Sequence, residues 1–172
     1  SNIAAMQIAG CIGTPLHPLG SLDDHAYVLE AAGIEALVYD ASVFDELAAA
    51  IKARVPGIKH MLGFGPTNSG EDYLALAATF SPQPLVAPEI SPDDVSSITF
   101  TGGTTGKPKG VMSTYQVTAY MTQIQMTEWE FPEDLRMLIA TPLSHAAAAF
   151  FIPVLQQGGA FYVMQGFRIE MG

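Results

Sequence analysis

Residues 98–111 read Ile-Thr-Phe-Thr-Gly-Gly-Thr-Thr-Gly-Lys-Pro-Lys-Gly-Val. An apolar, β-branched run at 97–101 gives way to eight residues that are Gly, Thr or Lys apart from Pro108. A strand cannot persist through such a run, because its glycines pack nothing and weaken the ladder. The same residues suit an anion. Glycine reaches φ > 0 and lets an anion approach the backbone N–H groups closely. Threonine hydroxyls and lysine ammonium groups add short, charge-assisted donors. Thr101, Thr104, Thr105 and Lys109 are therefore placed to face one ligand. The Walker spacing G-x-x-x-x-G-K-[ST] is excluded, since the position five before Gly106 is Thr101 and Pro108 follows the lysine. The G-x-G-x-x-G pattern does not fit either. A plain turn between strands rarely needs so many special residues in succession.

Strand-like runs at 34–39, 58–64, 96–101, 110–113, 136–141 and 160–165 alternate with helical patterns. Ser21 to Asp24 reads as a capping box with Asp in place of Glu, opening a helix with Leu22, Ala26 and Leu29 on one face and Gly33 at its end. Ser42 and Asp45 repeat the capping pattern, with Phe44, Leu47 and Ile51 as the buried stripe and Lys52 and Arg54 near the negative end of the helix dipole. Residues 71–80 read as a short helix, 114–128 as a helix with Val117, Tyr120, Met121, Ile124 and Met126 on its apolar side, and 145–157 as a further helix. This alternation predicts an α/β fold with a largely parallel sheet flanked by helices. The connector at 81–92 carries four prolines; it is the one candidate for an internal boundary, and no split is drawn there.

The chain has 172 residues, room for one domain with a sizeable core. Its net charge is −10, with seven Lys and Arg in all. Such a chain is a poor binder of nucleic acid or anionic membrane, so the two lysines inside the Gly/Thr run stand out. Charged residues make up 14%, well below the usual share, which fits either a buried parallel sheet or a piece whose missing partner covers apolar surface. The longest apolar stretch, 146–155, is broken by Pro153 and too short to span a bilayer. The single cysteine, Cys11, forms no internal disulfide and reads as a packed small residue. This cysteine usage suits the cytoplasm. His17, His25 and His60 lack metal-ligand spacing and read as loop or surface residues.

The segment 101–110 resembles the phosphate-binding signature of the adenylate-forming superfamily, T-S-G-[ST]-T-G-x-P-K-G, which includes acyl- and aryl-CoA synthetases, luciferases and peptide-synthetase adenylation domains. Nine of the ten positions match; the departure is Gly102 where Ser is usual, which removes one hydroxyl donor. Pro142-Leu143-Ser144-His145 is similar to the superfamily's next signature, P-[LM]-[FS]-H. The resemblance implies an ATP phosphate cradle of Thr101, Gly102, Gly103, Thr104, Thr105, Gly106 and Lys109, with Lys107 at a variable position outside it. It also implies a place for His145 in the carboxylate-substrate pocket. For Ala146 to Ala149 two readings stand: a low pocket wall that admits an acyl chain, or close helix packing.

By the same resemblance, residues 1–172 are part of an N-terminal AMP-binding domain, without its adenine-binding half and C-terminal domain. The parent reaction would form an acyl-adenylate from a carboxylic acid and ATP with Mg²⁺, then an acyl-CoA thioester with coenzyme A. The chain alone would be inactive. Competing readings are a stand-alone phosphate- or nucleotide-binding module, or a protein-interaction module that self-associates through apolar surface. An aryl-CoA ligase or a peptide-synthetase adenylation domain also remains open.

Overall fold

The structure is a computed structural model that describes residues 2–84, 86–102, 107–140 and 146–164. Those residues form seven strands and six α-helices, α/β as the alternation predicts. They divide into two compact units, one of residues 1–89 with 97–112 and the other of 90–96 with 113–172. The break near residue 89 falls within the proline-rich connector at 81–92.

In the first unit, α1 (Asn2–Ile8) precedes a turn in which Gly10 takes φ +72°. Cys11 lies just past it and is exposed, not packed. An extended segment follows, and Gly13 makes a parallel bridge to Ser97. Helix α2 (Leu22–Ala31) begins on the capping box read from the sequence: the Ser21 hydroxyl accepts from Asp24 N, and Asp24 accepts from Ser21 N. Gly33, at φ +63°, turns the chain into β1 (Ala36–Asp40). Helix α3 (Ala41–Arg54) then leads to β2 (His60–Phe64), and β3 (Glu71–Asp72) completes a parallel sheet of order β1-β2-β3. Helix α4 (Tyr73–Ala78) is capped by Asp72, so the helix expected over 71–80 gives up its first residues to the sheet. The core sits where α2 and α3 meet this sheet: Leu29, Ala48 and Ile51 are buried, and Leu22, Phe44 and Leu47 pack partly against them.

Besides Cys11, two expectations fail here for clear reasons. Helix α3 is capped by Asp40, whose carboxylate accepts from Ser42 N and Ser42 Oγ. Asp45 is thereby free to reach the loop after β2 instead of closing a capping box. His25 is also not a surface residue: it is 5% exposed, one position from Ala26 on the core-facing side of α2, with Nε2–H donating to the His17 carbonyl at 2.9 Å.

Strands β4 (Val95–Thr101) and β5 (Lys109–Thr114) pair with each other and contribute to both units. In the second unit, Thr114 caps α5 (Tyr115–Glu128), accepting from Val117 N. The face of α5 read as apolar is exposed at Val117, Tyr120, Met121 and Ile124, while Gln125 is buried. Strands β6 (Arg136–Ile139) and β7 (Ala160–Val163) pair in parallel. Between them the expected single helix is split into a 3-10 helix (Ala146–Phe150) and α6 (Phe151–Gln156). Pro153 explains the split: with α6 starting at Phe151, the proline falls in the first turn, where no N–H partner is required. Pro153 and Val154 are buried, as is Ala147, whereas Ala149 is exposed. Among the described residues no helix is long and apolar enough to cross a membrane.

Candidate phosphate-binding site

The β4–β5 pair carries the Gly/Thr/Lys segment. Ser96 Oγ donates to the Ser113 carbonyl at 3.0 Å, and Thr101 Oγ1 donates to the Lys109 carbonyl at 3.4 Å. Advancing along β4 thus means retreating along β5, so the two strands form an antiparallel hairpin. Gly110 lies at its close approach: a Cβ there would meet Ile98 Cγ2 at 2.9 Å and Phe100 Cζ at 3.2 Å. Gly102 is the opposite case, with nothing within 4 Å of an added Cβ.

The hairpin brings Thr101 and Gly102 on one arm opposite Lys109 on the other. Gly103, Thr104, Thr105 and Gly106, which the sequence places in the cradle, lie outside the described residues. So do His145 and the rest of 141–145, together with 165–167. Thr101, Gly102, Lys107 and Lys109 are all exposed. The described ion pairs use Arg54 with Asp23, Lys59 with Glu35 and Arg136 with Asp134. Lys52 donates to the Ser69 carbonyl at 3.3 Å. Among the described residues neither Lys107 nor Lys109 has a carboxylate partner. Two exposed lysines thus stand beside the end of β4, and ammonium groups are strong, charge-assisted donors to an anion.

One residue of this site has no signal in the sequence. Tyr27, half-buried on α2, donates its hydroxyl to the Pro108 carbonyl at 3.1 Å across 81 residues of chain. Its ring meets Phe100 edge-on, with centroids 6.3 Å apart and planes at 82°. Lys107 Nζ lies 5.3 Å from the centre of the same ring, within cation–π range. Nothing near Tyr27 distinguishes it from an ordinary helix aromatic, because the partner that gives it meaning is distant in sequence.

A second polar cluster belongs to the framework. The Asp45 carboxylate accepts from the Thr67 hydroxyl, from Asn68 N at 3.1 Å and from Asn68 Nδ2 at 3.3 Å. Ser69 Oγ donates to the Asp45 carbonyl at 2.8 Å, and the Tyr39 hydroxyl lies 2.6 Å from Thr67 Oγ1. Hydrogen bonding, from Thr67 first and then the Asn68 amide, lowers the Asp45 pKa from 3.8 to about 2. Among the described residues no group of three His, Cys, Asp or Glu side chains could hold a metal ion.

The described residues form an α/β fold whose β4–β5 hairpin flanks the Gly/Thr/Lys segment. The sequence profile described as AMP-binding enzyme matches residues 3–171. The chain belongs to that family. It is 48% identical over 171 residues to a medium/long-chain-fatty-acid–CoA ligase of Mycobacterium tuberculosis, a match covering 96% of this chain and 30% of that protein. It is 28% identical over 164 residues to a feruloyl-CoA synthase of an Amycolatopsis species, covering 92% of this chain and 30% of the relative. Among solved structures, the amide bond synthetase McbA from Marinactinospora thermotolerans superimposes with a TM-score of 0.83 at 28% identity, over 96% of this chain and 32% of that one. The chain thus spans roughly a third of the length of the relatives it matches.

Proposed function

We propose that this chain supplies the ATP phosphate-binding part of an ATP-dependent, carboxylate-activating ligase of the acyl-CoA synthetase kind. The observation that carries the reading is the β4–β5 hairpin, which holds Thr101 and Lys109 at opposite ends of a Gly/Thr loop and leaves the Lys109 ammonium without a described carboxylate partner. In this reading Thr101, Gly102, Gly103, Thr104, Thr105, Gly106 and Lys109 bind the β- and γ-phosphates, and His145 lines the carboxylate pocket. Identity of 48% to a fatty-acid ligase, against 28% to a feruloyl-CoA synthase, favours a medium- or long-chain fatty acid over an aryl acid.

In the first half-reaction a carboxylate oxygen forms a bond to the α-phosphorus of ATP, and the bond from that phosphorus to the bridging oxygen breaks. The leaving pyrophosphate takes up the negative charge, and in this reading the loop's hydroxyl, N–H and ammonium donors would stabilise it. In the second half, the coenzyme A thiol attacks the acyl carbon and AMP leaves. Hydroxyl, N–H and ammonium donors suit phosphate oxygens rather than a cation, so Mg²⁺ enters as the counter-ion carried by ATP. The complete reaction is proposed for a whole protein of the relatives' length, in the cytoplasm. The chain alone binds phosphate without turnover, because aligning both reactants supplies about 7–11 kcal/mol of such a barrier. Its exposed apolar surface favours self-association.

Calorimetric titration of Mg·ATP and of pyrophosphate tests the reading. The expected result is millimolar to high-micromolar binding that weakens by about tenfold or more in Lys109→Ala, as loss of a charged hydrogen bond implies. Equal binding by the variant would remove Lys109 from the site. Formation of acyl-AMP by the chain itself would overturn the claim that it does not turn over.

A further inference from the structure

We infer that Tyr27 is a positioning residue for the lysine arm of the loop. The inference rests on the phosphate-binding reading above. Two adjacent features of that arm are held by one side chain from a distant helix. The Tyr27 hydroxyl donates to the Pro108 carbonyl, the acceptor of the peptide that continues into Lys109. The ring of the same residue lies under the Lys107 ammonium and against Phe100 on β4. Helix α2 is itself well fixed: its capping box is closed, and Ala26, Val28 and Leu29 around Tyr27 are buried. A rigid helix therefore holds the Pro108–Lys109 peptide plane, and its aromatic face draws Lys107 to one side.

The consequence is a division of labour between the two lysines. The Tyr27 ring engages Lys107, whereas Lys109 starts β5 with its backbone tied to Thr101 and its ammonium exposed. Tyr27 makes Lys109 the lysine presented to phosphate and lowers the ordering cost of binding, since the arm is held before the ligand arrives. The hydroxyl is the decisive atom. Phenylalanine keeps the ring, the edge contact and the cation–π contact but leaves the Pro108 carbonyl without this donor.

The test is a ¹H–¹⁵N titration of the chain with Mg·pyrophosphate, comparing the unaltered protein with Tyr27→Phe and Tyr27→Leu. The expected result has three parts. In Tyr27→Phe the free-state Lys109 amide resonance moves, because its peptide loses a hydrogen bond at the carbonyl. The Kd for pyrophosphate rises about three- to tenfold, the range for one hydrogen bond. The melting temperature stays within a few degrees. Tyr27→Leu, which also loses the ring, weakens binding further. An unchanged Kd in Tyr27→Phe, with the unaltered chain binding, would overturn the role of Tyr27 and leave the phosphate site standing. Weaker binding accompanied by a large fall in melting temperature and shifts throughout α2 would also overturn it, as the role would then be structural. No response of the unaltered chain to pyrophosphate would remove the phosphate reading itself, and this inference with it.

Discussion

At the scale of single residues, the hairpin tells apart glycines that the sequence treats alike. Gly110 is required where two strands approach, since an added Cβ would press on Ile98 and Phe100. Gly102 sits in open space and not at positive φ, so nothing in the backbone demands glycine there. Gly102→Ser, which restores the hydroxyl usual in the resembled signature, is therefore expected to change stability by no more than about 0.5 kcal/mol. It should tighten Mg·ATP binding by about two- to tenfold, one added hydrogen bond. Thermal melting and calorimetry on the same preparations check both numbers, and unaltered affinity would mean the hydroxyl does not reach a phosphate. The Gly/Thr/Lys segment stands out in the sequence because its composition is a matter of residue types in succession. Tyr27 does not, because a helix tyrosine acquires its role only from what the fold brings to it.

At the scale of elements, capping motifs show where local reading succeeds and where it stops. Ser21 and Asp24 close their box as read, since both partners and the helix start lie within four residues. Ser42 and Asp45 offer the same pattern, yet Asp40 caps α3 and Asp45 ties the helix to the loop at 67–69. That tie has a pH signature. The Asp45 pKa in the folded chain is about 2, below its ordinary 3.8, because the ionised form accepts the Thr67 hydroxyl, the Asn68 amide and further donors. A carboxylate with a depressed folded pKa adds stability that is complete above the unfolded value and lost as pH falls through the folded one. Asp45→Asn should thus unfold at lower urea than the unaltered chain at about pH 6. The gap should shrink as pH drops from 3.8 toward 2 and close below it. A gap that persists at the acid end would show that the carboxylate's charge is not what matters. Asp24 and Glu35, also lowered by Ser21 and Lys59 respectively, act in the same direction in both proteins and cancel in the comparison.

At the scale of the molecule, burial is uneven. The β1–β2–β3 sheet with α2 and α3 encloses a core in which Leu29 and Ala48 are each 1% exposed. On α5, Met121 and Ile124 are 52% and 54% exposed, and Val111 and Met112 on β5 are exposed as well. The sequence pattern marked an apolar face on α5 correctly but could not say whether anything covers it. We expect the chain to bind an apolar fluorescent dye and to sediment with concentration-dependent mass. Met121→Glu with Ile124→Glu should lower both while shifting stability by no more than about 0.5 kcal/mol each, the usual effect of exposed substitutions. Dye binding that is indifferent to these changes would locate the sticky surface elsewhere.

The sequence by itself determined the alternation of strands and helices, the turn at Gly33 and the cap at Ser21. Each of these depends on residues within a few positions of one another, through backbone propensity, capping and the hydrophobic period. The tertiary structure decided the choice of Asp40 over Ser42 as cap, the burial of His25, the division of 146–156 around Pro153 and the grip of Tyr27 on Pro108. These depend on which distant groups compete for the same donor, acceptor or space, and only packing settles that competition.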